Sequence, residues 1–133
     1  VKVPCHREVA ALAEHYWPGA LTLVLPARDG GAGRYLNPGG TTLGCRIPAC
    51  EQTRALLQIS GPLATTSANR SGEPASMTAG EAALVFPDVV QLGPQPWPQP
   101  SGQASTVLVW VEDGRWRMVR QGAVIPGGVE VLE

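Results

Sequence analysis

Small hydroxyl and amide side chains recur with arginines at four points of the sequence: Thr42 and Arg46, then Thr65, Ser67 and Asn69, then Ser105 and Thr106, then Arg120. Each group falls at the end of an expected strand. Hydroxyls and amides in such places can hold an oxyanion, and a guanidinium offers two parallel N–H bonds to a carboxylate or phosphate. The pattern describes a pocket for a carboxylate or a phosphate. Each residue also has a plainer explanation: Ser67 and Asn69 as turn formers, Ser105 as a strand start, Arg46 and Arg120 as exposed charges.

Other chemistry finds little support. The sequence has no GxxxxGKS/T phosphate loop, no GxGxxG after a strand, no HExxH and no GxSxG elbow. Both histidines, His6 and His15, fall on the first expected helix, where a solvated face explains them better than general-base work. Lys2, the sole lysine, sits at the terminus and gives Schiff-base chemistry no well-placed amine. Cys5, Cys45 and Cys50 are odd in number and scattered, which suits buried thiols in a reducing compartment. With His6, Cys45 and Cys50 do not make a usual zinc half-site, so no metal held by the protein is expected.

Several elements must position these groups. Val9, Leu12, Ala13 and Tyr16 share a face at helical spacing from Glu8 to Tyr16, and Trp17-Pro18-Gly19 ends that helix. Ala20 to Leu25 reads as a strand covered on both faces, Asp29 to Gly40 as a loop, and Thr41 to Ile47 as a second strand stopped by Pro48. Ala55, Leu56 and Ile59 predict a helix from Glu51 to Ile59 packed on the sheet. A short strand from Leu63 to Thr66 runs into the polar turn Ser67 to Gly72, and Thr78 with Glu81 forms a capping box for a helix ending near Phe86-Pro87. Val89 to Leu92 reads as another short strand, and the prolines between Gly93 and Gln103 as a stiff surface loop. Thr106 to Val111 and Trp116 to Arg120, joined through Asp113-Gly114, form the clearest hairpin, before a tail rich in glycine and proline. This order implies a mixed sheet with helices packed on it, an α/β architecture.

At 133 residues the chain can bury one core but hardly two. Ten basic against eleven acidic residues give a formal net charge of -1, which leaves no general excess for gripping a nucleic-acid backbone, so any RNA contact is local. No apolar run approaches the ~20 residues that span a bilayer, and Val1 to His6 is no signal peptide. A cytoplasmic protein without a membrane partner is the expectation.

The words Trp17-Pro-Gly-Ala-Leu-Thr-Leu-Val-Leu25, Gly44-Cys-Arg-Ile-Pro48, Gly61-Pro-Leu-Ala-Thr-Thr-Ser-Ala-Asn-Arg-Ser-Gly-Glu-Pro74, Ser105-Thr-Val107 and Arg120-Gln-Gly-Ala123, in that order, resemble the YrdC/TsaC family. The run from Ser67 to Pro74 is highly specific, and the resemblance covers almost the whole chain from about His6 to Ala123. It implies an α/β fold, a YrdC-like twisted mixed sheet with packed helices, with residues 1–133 as a single domain. It also implies the family's activity: L-threonine, bicarbonate and ATP, with magnesium accompanying the ATP, become threonylcarbamoyl-AMP and pyrophosphate. Partner proteins then carry the threonylcarbamoyl group to tRNA. Matched residue by residue, Thr42, Ser67, Asn69 and Arg120 fall on the ATP side, and Arg46, Thr65 and Ser105 hold threonine. No residue is assigned a certain catalytic role.

The family's domain usually begins further upstream, with a Pro-Thr-Asp/Glu-Thr-x-Tyr-Gly turn and a Lys-x-Arg motif, and this sequence contains neither. The expectation is therefore the carboxyl-terminal portion of the family domain, N-terminally incomplete and inactive by itself. Two other readings of the same fold stand beside it. One is a non-catalytic module binding double-stranded RNA, which requires Arg34, Arg46, Arg70 and Arg120 to form one stripe. The other is a domain handling carbamoyl-adenylate, related to the hydrogenase-maturation carbamoyltransferase.

Overall fold

The computed structural model describes residues 6–27, 31, 33–112 and 114–132. In chain order the elements are α1 (Arg7–Tyr16), β1 (Leu21–Pro26), α2 (Gly33–Leu36), β2 (Thr42–Cys45), α3 (Glu51–Ser60), α4 (Ala79–Val85), β3 (Thr106–Glu112), β4 (Arg115–Arg120) and β5 (Glu130–Leu132). The five strands make one mixed sheet in the order β2-β1-β3-β4-β5. β1 pairs antiparallel with β2, Leu23 opposite Cys45, and parallel with β3, Leu21 beside Thr106 and Leu23 beside Leu108. The β3–β4 hairpin closes at Glu112 and Arg115, as the Asp-Gly signal predicts.

The chain separates into two compact units: residues 1–54 with 103–133, and residues 55–102. The first contains the sheet and the whole buried core. Leu21, Leu23 and Leu25 alternate onto one face of β1 and meet Leu108, Trp116 and, from α1, Val9 and Leu12. A fully buried leucine contributes about 2 kcal/mol by removal from water alone, so this cluster dominates the unit's stability. Trp110 packs edge-on against Trp116 with centroids 5.2 Å apart, and His6 stacks on Trp110 at 4.8 Å. The other face of β1, Thr22 and Val24, is only half-buried, so the expected double coverage holds for one face.

In the second unit no residue is buried. Here the sequence reading needs correction. The helix α3 forms, but Ala55 is exposed and Ile59 is 88% exposed, so these apolar side chains are not buried. Helical spacing gathers apolar side chains on a face and does not supply that face with a partner. The segments Leu63 to Thr66 and Val89 to Leu92 are not strands, because neither has a neighbouring strand to complete its ladder and both abut prolines or turn residues. The capping box is present: Thr78 Oγ1 accepts from the Glu81 backbone N–H at 3.1 Å, and Glu81 reaches back to the Met77 N–H at 2.6 Å. Two further elements escaped the reading. One turn of helix, α2, lies inside the glycine-rich loop, and β5 lies in the tail, where Trp116 pairs with Val131.

Candidate functional site

Four side chains converge at one end of the sheet in the first unit. β2 runs antiparallel to β1, which brings Arg46, just beyond Cys45, beside the start of β1. Arg46 Nε donates to the Gly19 carbonyl at 2.8 Å, and the Gly19 N–H donates back to Ile47 O at 2.8 Å. Gly19 is obligatory here, since a Cβ would stand 2.3 Å from the Tyr16 carbonyl oxygen. Parallel pairing sets Ser105, immediately before β3, against Thr22, and the two hydroxyl oxygens are 2.8 Å apart. Arg120 ends β4 and reaches the same point: Nε donates to Ser105 O at 2.9 Å and Nη2 to Ser105 Oγ at 3.1 Å.

Thr106 fixes this arrangement from beneath. Wholly buried, its Oγ1 donates to Val124 O and accepts from the N–H groups of Gly122 at 3.0 Å and Val124 at 3.3 Å. The chain after Arg120 is thereby pinned against the start of β3. Gly122 touches that backbone so closely that a Cβ would lie 2.1 Å from Ala104 O.

The electrostatics of this corner favour an anion. Burial and the neighbouring positive charge of Arg120 both push the Arg46 guanidinium below its ordinary value. Among the described residues the one ion pair is Arg115 with Glu112 at 2.6 Å, so neither Arg46 nor Arg120 has a carboxylate partner. Two cations held side by side without an acid form a site that a bound carboxylate or phosphate would complete. This end of the sheet carries the amino ends of the parallel pair β1 and β3 and the carboxyl ends of β2 and β4. In a mixed sheet one edge carries strand ends of both kinds.

Thr42 stands apart from this group. It pairs with Pro26 at the opposite end of β2, and its carbonyl accepts from Asn37 Nδ2 at 2.9 Å. Arg34, on α2, belongs to that same far end, where Ala27 N bonds Thr41 O, so Arg34 and Arg46 do not share a stripe.

Thr65, Ser67 and Asn69 lie in the second unit. Thr65 and Ser67 are exposed. Asn69 organises the loop around itself: its N–H donates to Ser67 O at 3.0 Å, and Nδ2 donates to Arg70 O and to Glu73 O, both at 3.0 Å. Ser76 N closes the turn on Ala68 O at 2.9 Å. Asn69 Oδ1 is buried without a partner among the described residues, an acceptor that awaits a donor. Arg70 lies 6.0 Å over the Phe86 ring and donates to Val85 O at 3.5 Å.

Thr22 was overlooked as a site residue in the sequence, although a lone hydroxyl inside Leu-Thr-Leu-Val-Leu was its signal. The thiols differ from the expectation of burial: Cys45 and Cys50 are half-buried, and Cys5 lies outside the described residues. Burial pushes Cys45 up. For Cys50, which precedes α3, burial acts upward but hydrogen bonds from Thr53 and Gln52 outweigh it and bring the thiol down. A groove of about 500 Å³ lined by Glu8, Leu12, His15, Tyr16, Gly114 and Val129 contains none of the candidate residues.

Comparison with known proteins bears on these residues. The Sua5_yciO_yrdC family model, described as "Telomere recombination", matches residues 2–122. The chain is similar to threonylcarbamoyl-AMP synthase of Bacillus subtilis, 32% identical over 111 residues, covering 83% of this chain and 32% of that protein. It is similar to the Idiomarina loihiensis protein of the same name, 41% identical over 76 residues, covering 56% of this chain and 40% of that one. Among solved structures it resembles Sua5 of Pyrococcus abyssi complexed with L-threonine, with TM-score 0.79 and 30% identity, covering 96% of this chain and 39% of that chain. A doubly substituted form of the same Sua5 matches with TM-score 0.80, covering 41% of that chain. The chain thus spans less than half the length of each of these relatives.

Proposed function

The chain belongs to the Sua5/YciO/YrdC family, and from that premise we propose that it is part of a threonylcarbamoyl-AMP synthase, in which the Arg46, Ser105 and Arg120 corner receives the carboxylate of L-threonine. One observation carries this reading: two arginines and two hydroxyls meet at one end of the sheet with no acid to neutralise them. Arg46 keeps its terminal nitrogens free of hydrogen bonds among the described residues, so they can take a carboxylate while Nε stays on Gly19. The Sua5 structure that this chain resembles was solved with L-threonine, which agrees in ligand class.

In the second unit, the loop that carries Ser67 and Asn69 is the part we assign to the nucleotide. The unpartnered Asn69 Oδ1 supports this, because a ribose hydroxyl or an adenine amino group supplies the donor it lacks. In the reaction, the threonine amine and bicarbonate condense with loss of water to a carbamate, whose oxygen attacks the α-phosphorus of ATP as the bond to pyrophosphate breaks and pyrophosphate leaves. The chain's own contribution is to hold the reactants and offset negative charge. Magnesium accompanying ATP would be carried by the triphosphate oxygens. The threonylcarbamoyl-AMP then passes to tRNA-modifying partner proteins. No helix of the described residues is long and apolar enough to cross a membrane.

Isothermal titration of the chain with L-threonine tests the assignment. Arg46→Ala should weaken binding by about tenfold to a hundredfold, the loss of one charge-assisted hydrogen-bonding group. No binding by the unsubstituted chain, or undiminished binding by Arg46→Ala, would refute it.

A further inference from the structure

The threonine reading leaves one residue of the corner without a role, and the arrangement of hydroxyl protons supplies it. A serine hydroxyl has one proton to give and two lone pairs to fill. Arg120 Nη2 donates into one lone pair of Ser105 Oγ at 3.1 Å, and a guanidinium cannot accept in return. Thr22 Oγ1 lies 2.8 Å from the same oxygen, and among the described residues its proton has no other acceptor. Either hydroxyl can donate across this contact; when Thr22 donates, both lone pairs of Ser105 are filled and the Ser105 proton is left for a ligand oxygen. Ser105 is only 6% exposed, so bulk water serves it poorly.

We infer that Thr22 is a positioning residue: by donating to Ser105 it releases the Ser105 proton to a ligand oxygen that accepts, which favours a carboxylate at the corner. On the reading above, the accepting oxygen belongs to the threonine carboxylate, and the inference rests on that reading. The ladder explains why Thr22 can do this: its parallel partner is Val107, which places the side chain level with the residues that open β3.

Packing and hydrogen bonding make opposite predictions for two substitutions. Thr22→Val keeps the β-branched shape and removes the hydroxyl, whereas Thr22→Ser keeps the hydroxyl and removes the methyl. Titration of L-threonine into the 133-residue chain should show about a tenfold loss of affinity for Thr22→Val, with an unchanged melting temperature, and less than about a twofold change for Thr22→Ser. In a Ser105→Ala background, Thr22→Val should cost less than about twofold more, because it acts through Ser105. Thr22→Val binding as tightly as the unsubstituted chain, Thr22→Ser losing more than Thr22→Val, or full additivity with Ser105→Ala would overturn the inference. If the unsubstituted chain binds no threonine, the threonine reading itself fails and this inference fails with it; binding that ignores Thr22→Val removes the inference alone.

Discussion

Two parts of this chain present hydroxyls and amides for ligand binding, and they hold them by different physics. At the end of the sheet, Thr22, Arg46, Ser105 and Arg120 are fixed by strand register, by the buried Thr106 hydroxyl and by glycines whose backbone touches neighbouring carbonyls. In the loop from Thr65 to Ser76 the candidate groups are fixed by one asparagine and a few turn hydrogen bonds, with no buried residue beneath them. The first arrangement is as rigid as the core it grows from. The second is held by local hydrogen bonds, with no buried residue in its unit.

Gly122→Ala tests that difference most severely. Its methyl would overlap the Ala104 carbonyl, and the backbone on both sides is pinned by Thr106. The expected destabilisation is about 3 kcal/mol, seen as a fall in melting temperature of about 10 °C, together with lost threonine affinity. An unchanged melting temperature would show that the corner is not coupled to the core. Asn69→Ala should behave in the opposite way. It removes two amide donations, worth about 1–2 kcal/mol locally, and hydrogen exchange should quicken at residues 67–76 while the amides of the sheet stay protected. A global loss of protection would merge the two regions into one cooperative body.

The smallest effect concerns the thiols. Cys45 sits in the sheet with its thiol raised by burial, and Cys50 stands before α3 with its thiol lowered by hydrogen bonds. Thiolate is the reactive form, and at a given pH the group with the lower pKa carries more of it. Iodoacetamide near neutral pH should therefore label Cys50 before Cys45, with the difference shrinking as pH rises past both. Mass spectrometry of the labelled peptides reads this directly, and the reverse order would contradict the assignment.

What could be read from the residues follows the same division. The hairpin, the first helix, the strand Leu21–Pro26 and the Thr78 cap were legible because their signals are local: an Asp-Gly turn, a 3.6-residue apolar period, an unbroken apolar run, a capping box. The burial of Ile59 and the pairing of Leu63 to Thr66 and Val89 to Leu92 were misread, since each depends on a partner element that sequence spacing does not specify. Arg46, Ser105 and Arg120 were visible as a constellation of types. Their meeting at the amino ends of β1 and β3, and the distance of Thr42 from them, follow from strand direction, which residue types do not encode. Thr22 was hidden because a threonine in an apolar strand is ordinarily a β-former and nothing more.

The parallel joint between β1 and β3 has a consequence for how the molecule comes into being. Thr22 and Ser105 are 83 positions apart, so the middle of the sheet cannot close until β3 has left the ribosome. Until then Leu21, Leu23 and Leu25 have only the antiparallel neighbour β2 and the nearby helix to shelter them. Long-range pairing of this sort is slow, because a large loop must be gathered before any contact rewards it. Nascent chains should accordingly pass through an interval in which a greasy ribbon is open to chaperones, and the binding corner assembles only when β3 and β4 arrive.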